Sequence, residues 1–147
     1  MNVKELERVY WMNKHIQDRV DRLDNLRCSV GNSAVRYDGD PVQSSNGQDR
    51  LERMIAEIVD LENEIDEMVD RYARLKKRVI GHIDRLPNER SRDVMYNRYI
   101  LFMSFGEISK DLNVDKRWIK RVHERALKEY KEIELKSTQS TKCCSNY

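Results

Sequence analysis

Between Leu51 and Leu86 the apolar residues return every three or four positions without a break: Leu51, Met54, Ile58, Leu61, Ile65, Met68, Tyr72, Leu75, Val79, His82 and Leu86. A mean spacing of 3.5 residues keeps one stripe of an α-helix turned toward a partner over many turns. A strand, whose faces alternate every two residues, cannot carry that pattern. The stripe therefore commits this part of the chain to a helix of roughly 55 Å, at about 1.5 Å per residue. Leu51 through Val79 in that series are the expected helix-pairing seam. Asp49, with Glu52 three residues on, is the expected N-cap. His82 stands in the stripe with no further metal ligand nearby in sequence, so it reads as a partly buried seam side chain.

Residues 2–28 supply a partner for the seam, with Leu6, Val9, Ile16, Val20 and Leu23 on one face and Asn13 among them. Ser29 to Gln48 then concentrates turn chemistry in Gly31-Asn32, Asp38-Gly39-Asp40-Pro41 and Asn46-Gly47, and reads as a loop. A loop of that length lets the first helix fold back antiparallel on the second. The second helix is longer, which leaves seam for a second chain or for whatever follows.

Charge is distributed in blocks. Residues 49–70 carry nine acidic and two basic groups, and residues 71–86 carry six basic and one acidic. The acidic block suits a basic partner surface or a solvated helix flank. Three cysteines, Cys28 and the adjacent Cys143 and Cys144, have neither disulfide nor zinc spacing. The N-terminus MNVKELERVY lacks an apolar signal region, and no run reaches the ~18 apolar residues of a membrane span. A cytoplasmic protein with no membrane partner is expected.

Leu86-Pro87 breaks the long helix, because the residue before proline is pushed out of the α region. A shorter helix is expected from Pro87 to about Phe102, with Val94, Met95, Tyr99 and Phe102 on its buried face. Ser104 and Glu107 then form a capping-box pair. Ile108 and Leu112 share one face of the helix they open, and Asn113 tolerates the left-handed turn that ends it. Val114 fills the wedge before Asp115, the N-cap of a second helix in which Ile119, Val122, Ala126 and Tyr130 recur on the inner side. Short helix, tight turn and longer helix make a helix-turn-helix. Its basic residues gather in the first half of the second helix, the part that enters a major groove. The expected DNA-contacting residues are Ser104, Lys116, Arg117, Trp118, Lys120, Arg121 and Arg125.

From Leu86 to Lys128 the chain resembles region four of the primary-type bacterial sigma factors. The resemblance rests on Leu86-Pro87, Arg98-Tyr99, Glu107-Ile108-Ser109, Leu112-Asn113-Val114, Ile119 and Arg125-Ala126-Leu127. Over about residues 5–130 it is similar to small phage and prophage proteins of Gram-positive bacteria, the sigma-like or ArpU-type late transcriptional regulators. The resemblance implies reading of a promoter element upstream of the start site through Lys116, Arg117, Lys120 and Arg121, with RNA polymerase as a second partner. Arg117 and Arg121 stand where many sigma factors carry Glu and Gln, which implies a different DNA sequence. Asn113 replaces the usual turn glycine. No aromatic-rich promoter-melting region precedes the module, so a polymerase-directed regulator is implied rather than a self-sufficient sigma factor.

The expectation is an all-α chain. A long antiparallel helical hairpin or coiled coil spans 1–86 with its loop at 29–48. A sigma region-four-like helix-turn-helix DNA-binding domain follows over 87–135, and 136–147 is a disordered tail. The expected partners are double-stranded DNA, RNA polymerase and a second copy in a dimer. A small-terminase-like packaging subunit and a purely structural coiled coil are the alternatives, and a ring of eight or more copies would mark the first. No nucleophile and base pair, metal-ligand cluster or phosphate loop is legible, so no enzyme, metal or cofactor is expected.

Overall fold

The computed structural model describes residues 4–36 and 45–142. They form five α-helices: α1 Lys4–Arg36, α2 Ser45–Asp84, α3 Glu89–Tyr99, α4 Phe105–Asp111 and α5 Lys116–Lys142. No strand occurs among the described residues, and the chain is all-α.

Two segments expected to be irregular are helical. α1 runs through Ser29 to Arg36 and α2 begins at Ser45, four residues ahead of Asp49, so the loop expected over 29–48 is helical outside residues 37–44. The Asp38-Gly39-Asp40-Pro41 turn lies outside the described residues. α5 likewise continues through Lys136 to Lys142, where a disordered tail was expected; Cys143 and Cys144 lie outside the described residues. One mechanism serves both stretches. Ser29 and Ser33 donate their hydroxyls to the carbonyls of Asn25 and Ser29, each at 2.9 Å. Ser137, Thr138 and Ser140 do the same to Ile133, Glu134 and Lys136. Hydroxyls that compete with a helix in other conformations are turned back here onto the preceding turn.

The chain divides into two compact units, Met12–Arg71 and a second that joins Met1–Trp11 to Tyr72–Tyr147. The expected border at 86/87 is displaced because the end of α2 packs with the C-terminal helices. Leu75, Val79, Ile83 and Leu86 are buried there, and the His82 ring meets Tyr130 of α5 edge-on at 5.7 Å. His82 Nδ1 lies 3.4 Å from the Tyr130 hydroxyl. Arg78 pairs with Glu5 of α1 at 3.4 Å. Beyond Arg71, α2 thus meets α5 through His82 and the start of α1 through Arg78.

In the Met12–Arg71 unit, Arg19 pairs with Glu64 at 3.1 Å, Arg22 with Glu57 at 2.6 Å, and Arg27 with Glu62. From Arg19 to Arg22 on α1 the partner descends from Glu64 to Glu57 on α2, as in an antiparallel pair, and the long Arg27 side chain reaches back to Glu62. These pairs are exposed and contribute about 0–1 kcal/mol each, which fixes register more than stability. Leu23 and Leu61 are buried, while Leu51, Met54, Ile58, Ile65 and Met68 are half-buried. Two helices bury only the stripe between them, and Ile55, Val59 and Val69 remain exposed on α2.

In the other unit α3, α4 and α5 pack on one another around Val94, Ile108, Ile119 and Val122, with Met103, Phe105, Leu112, Val114 and Trp118 packed against that core. Burying each such aliphatic side chain is worth roughly 1.5–3 kcal/mol. Asn88 caps α3 by accepting from the Arg90 N–H at 3.0 Å, which places Pro87 just outside the helix rather than in its first turn. α3 ends at Tyr99, three residues short of Phe102. Met103 N–H reaches back to the Asn97 carbonyl at 2.9 Å, and this reversal sets Phe102 at φ 57°.

Candidate nucleic-acid interface

α4 and α5 are joined by Leu112–Asp115, and each end of this connection is closed by a local device. At the start of α4, Ser104 N–H donates to Glu107 Oε2 at 2.7 Å and Glu107 N–H donates to Ser104 Oγ at 3.3 Å. That reciprocal box holds the Glu107 carboxyl below the usual carboxylate range, chiefly through the Ser104 backbone N–H. At the end of α4, Val114 N–H bonds the Ser109 carbonyl and Asn113 N–H the Lys110 carbonyl, with Asn113 at φ 53°. This is a Schellman closure with asparagine in the left-handed position that glycine usually fills. Ser109 Oγ donates to the Val114 carbonyl and ties the turn to α4. The Asp115 carbonyl accepts from Ile119 N–H at 3.1 Å, the first bond of α5.

The two faces of α5 differ in chemistry. Ile119, Val122, Ala126 and Tyr130 are buried in the unit. Lys116, Arg117, Lys120, Arg121 and Arg125 are exposed, and none has an ion-pair partner among the described residues. Five unneutralised cations therefore occupy the first ten residues of one helix. That arrangement can bind phosphate oxygens and present guanidinium groups to base edges.

The structure places the other two expected contact residues differently. Trp118 is half-buried, packed against the Val94 core, with the Arg90 guanidinium 5.2 Å from its ring centroid. Its indole therefore forms a wall under the basic face. Ser104 is exposed, and its hydroxyl is engaged within the capping box, accepting from Glu107 N–H and donating to the Glu107 carboxylate.

Arg90 belongs to the same surface and was not legible from sequence. It lies 28 positions from Trp118, and only the packing of α3 against α5 brings its charge beside the start of α5.

The orientation of α5 is set by an aromatic cluster behind the basic face. Tyr99 and His123 stack at 5.7 Å, and Phe105 meets His123 edge-on at 5.0 Å. Arg98 stands 4.7 Å from the Phe105 centroid and donates to the Met103 carbonyl at 3.1 Å. Burial pushes the His123 pKa down, with Arg98 adding to the effect, and pushes the Tyr99 hydroxyl up. His123 is neutral near pH 7 and serves packing rather than charge. No described helix is long and apolar enough to cross a membrane.

Comparison of the chain with protein-family models, with characterised proteins and with solved structures returned no match.

Proposed function

We propose that the chain is a sequence-specific DNA-binding transcriptional regulator of the phage or prophage kind, and that α5 from Lys116 to about Tyr130 is its recognition helix. The observation that carries this reading is the set of five exposed, unpaired cations on the first half of α5, backed by a buried face that fixes the helix in place. The short α4, the left-handed turn at Asn113 and the longer α5 support a helix-turn-helix reading, in which the second helix enters the groove. The likeness of residues 86–128 to sigma region four supports a promoter-proximal site, with RNA polymerase as the second partner. A dimer would place two recognition helices on a symmetric target.

The test is selection of bound fragments from random and host-phage DNA by the purified full chain at about 0.15 M salt. Enrichment of a promoter-like element or of symmetric half-sites is expected. Enrichment of a single packaging locus would replace the regulator by a packaging subunit, and no enrichment would remove the specific-reader assignment.

A further inference from the structure

A second basic surface lies on α2, away from the recognition face. Arg74, Lys77, Arg78, Gly81, His82 and Arg85 line a groove of about 400 Å³. We propose that this groove is a second phosphate-binding surface that holds a stretch of duplex DNA separate from the one read by α5. The proposal rests on the reading of α5 as a recognition helix.

Three observations carry it. First, three of the four groove cations are not paired with a carboxylate. Arg74 and Lys77 have no ion-pair partner among the described residues and Arg85 donates to the neutral Ser137 hydroxyl at 3.1 Å, while Arg78 pairs with Glu5 and stands within electrostatic reach of Glu134. The four cations span roughly 16 Å of helix. Second, Gly81 leaves the middle of the groove bare. A Cβ there would meet nothing within 4 Å, so packing inside the unit does not demand glycine. What its absence permits is close approach of an elongated anion to the backbone of α2.

Third, α2 meets α5 on the side of that helix away from Arg117, Arg121 and Lys128. α2 meets α5 at Tyr130 and Ser137, through His82 and Arg85. At 3.6 residues per turn, Tyr130 and Ser137 lie about half a turn around α5 from Arg117, Arg121 and Lys128, whereas Lys116 and Lys120 lie within about a quarter turn of Tyr130 and more than two turns nearer the start of the helix. A duplex seated on Arg117, Arg121 and Lys128 faces away from the groove, which leaves the groove to a second duplex segment. Duplex DNA carries one negative charge per roughly 1.7 Å of its axis, a density suited to a row of closely spaced cations. The acidic stretch of α2 in another copy is the less dense occupant, with four of its nine carboxylates already engaged by Arg19, Arg22, Arg27 and Arg71.

The experiment is bridging. The full chain is loaded on a bead-bound duplex carrying its selected site, and capture of a fluorescent duplex of unrelated sequence is measured against salt. Wild-type protein is expected to capture the second duplex. The Arg74→Ala/Lys77→Ala variant is expected to bind the bead-bound site unchanged, lose capture severalfold and lower the salt slope of capture by about two units. Arg74→Lys is expected to keep most of the capture. No capture by wild type overturns the proposal. Capture that is unchanged in the double variant also overturns it, since two α5 faces of a dimer would then hold both duplexes. A lower solution mass of the DNA-free double variant, with capture unchanged, overturns it in favour of a second copy in the groove. Failure of the α5 reading has a different signature, attachment to the bead-bound site that survives Arg117→Ala/Arg121→Ala.

Discussion

Tyr99 and His123 hold α3 to α5 through both faces and edges: their rings stack with 24° between planes, and the Tyr99 hydroxyl lies 2.9 Å from His123 Nε2. The contact stands behind the first half of α5, so the charge state of His123 bears on the helix that carries the five cations. Burial lowers the pKa of His123, and of His82, below the ordinary histidine value of 6.5. Between the lowered value and 6.5 the unfolded chain binds more protons than the folded one. Stability is therefore fully present above about pH 6.5 and is lost as pH falls, by up to about 1.4 kcal/mol per pH unit for each histidine. Glu134 acts with the opposite sign, because burial raises its carboxyl above 4.5 and its ionisation costs stability as pH rises through that raised value. Urea unfolding at about pH 7.5 and about pH 6 is expected to show the loss, and His123→Gln to flatten part of it. An unchanged slope in that variant would remove His123 from the account.

Phe102 holds a left-handed backbone with an aromatic side chain whose ring meets Tyr10 of α1 edge-on at 5.5 Å. The conformation costs an L residue roughly 1–2 kcal/mol and glycine nothing. Phe102→Ala removes the ring and keeps the strain, whereas Phe102→Gly removes both. The glycine variant is expected to be the more stable of the two by about 1 kcal/mol. Chemical denaturation of the pair checks this, and equal midpoints with equal slopes would mean that the turn carries no strain.

The two ends of α4 give separate measurements. Ser104→Ala removes the oxygen that caps Glu107 N–H and is expected to cost about 0.5–2 kcal/mol. Asn113→Gly is expected to be neutral or slightly stabilising, while Asn113→Val at the same φ of 53° destabilises. Thermal melting of the three variants orders them. A valine variant as stable as the parent would contradict the left-handed turn.

Much of this was legible because the responsible residues act locally. The capping box needs only Ser104 and Glu107 three positions apart, and the turn at Asn113 needs one residue that tolerates positive φ. The heptad stripe of α2 was equally plain, and its members from Leu51 to Val79 are buried or half-buried. Ser29, Gly31 and Ser33 suggested a loop because each is a weak helix former alone, the glycine by about 1 kcal/mol and the serines by less. A continuous helix with its serine hydroxyls turned back onto the preceding turn overrides that preference. The division of the chain was hidden for another reason. Nothing in the periodicity of α2 distinguishes seam covered by α1 from seam covered by Tyr130. The Arg90 contact with Trp118 and the left-handed Phe102 depend on tertiary packing and leave no pattern in the chain.

The basic face of α5 predicts unequal effects along the helix. A side chain that reads a base, as expected for Arg117 or Lys120, should cost about 1–3 kcal/mol on truncation to alanine and relax preference at one base pair. A side chain that holds only phosphate should weaken every sequence alike and lower the salt slope by about one unit. Titration of each single variant against the selected site and its single-base substitutions separates the two classes. Identical profiles for all variants would leave α5 as a non-specific cationic surface.

The most direct measurement is binding of the selected duplex, as a function of salt, by the wild-type chain and by a Lys116→Ala/Lys120→Ala/Arg117→Ala/Arg121→Ala variant with matched helical content. The variant is expected to lose the preference for the selected site over unrelated DNA and up to about four units of the salt slope. Equal affinity, preference and slope in the two proteins would contradict the assignment of α5 as the recognition helix.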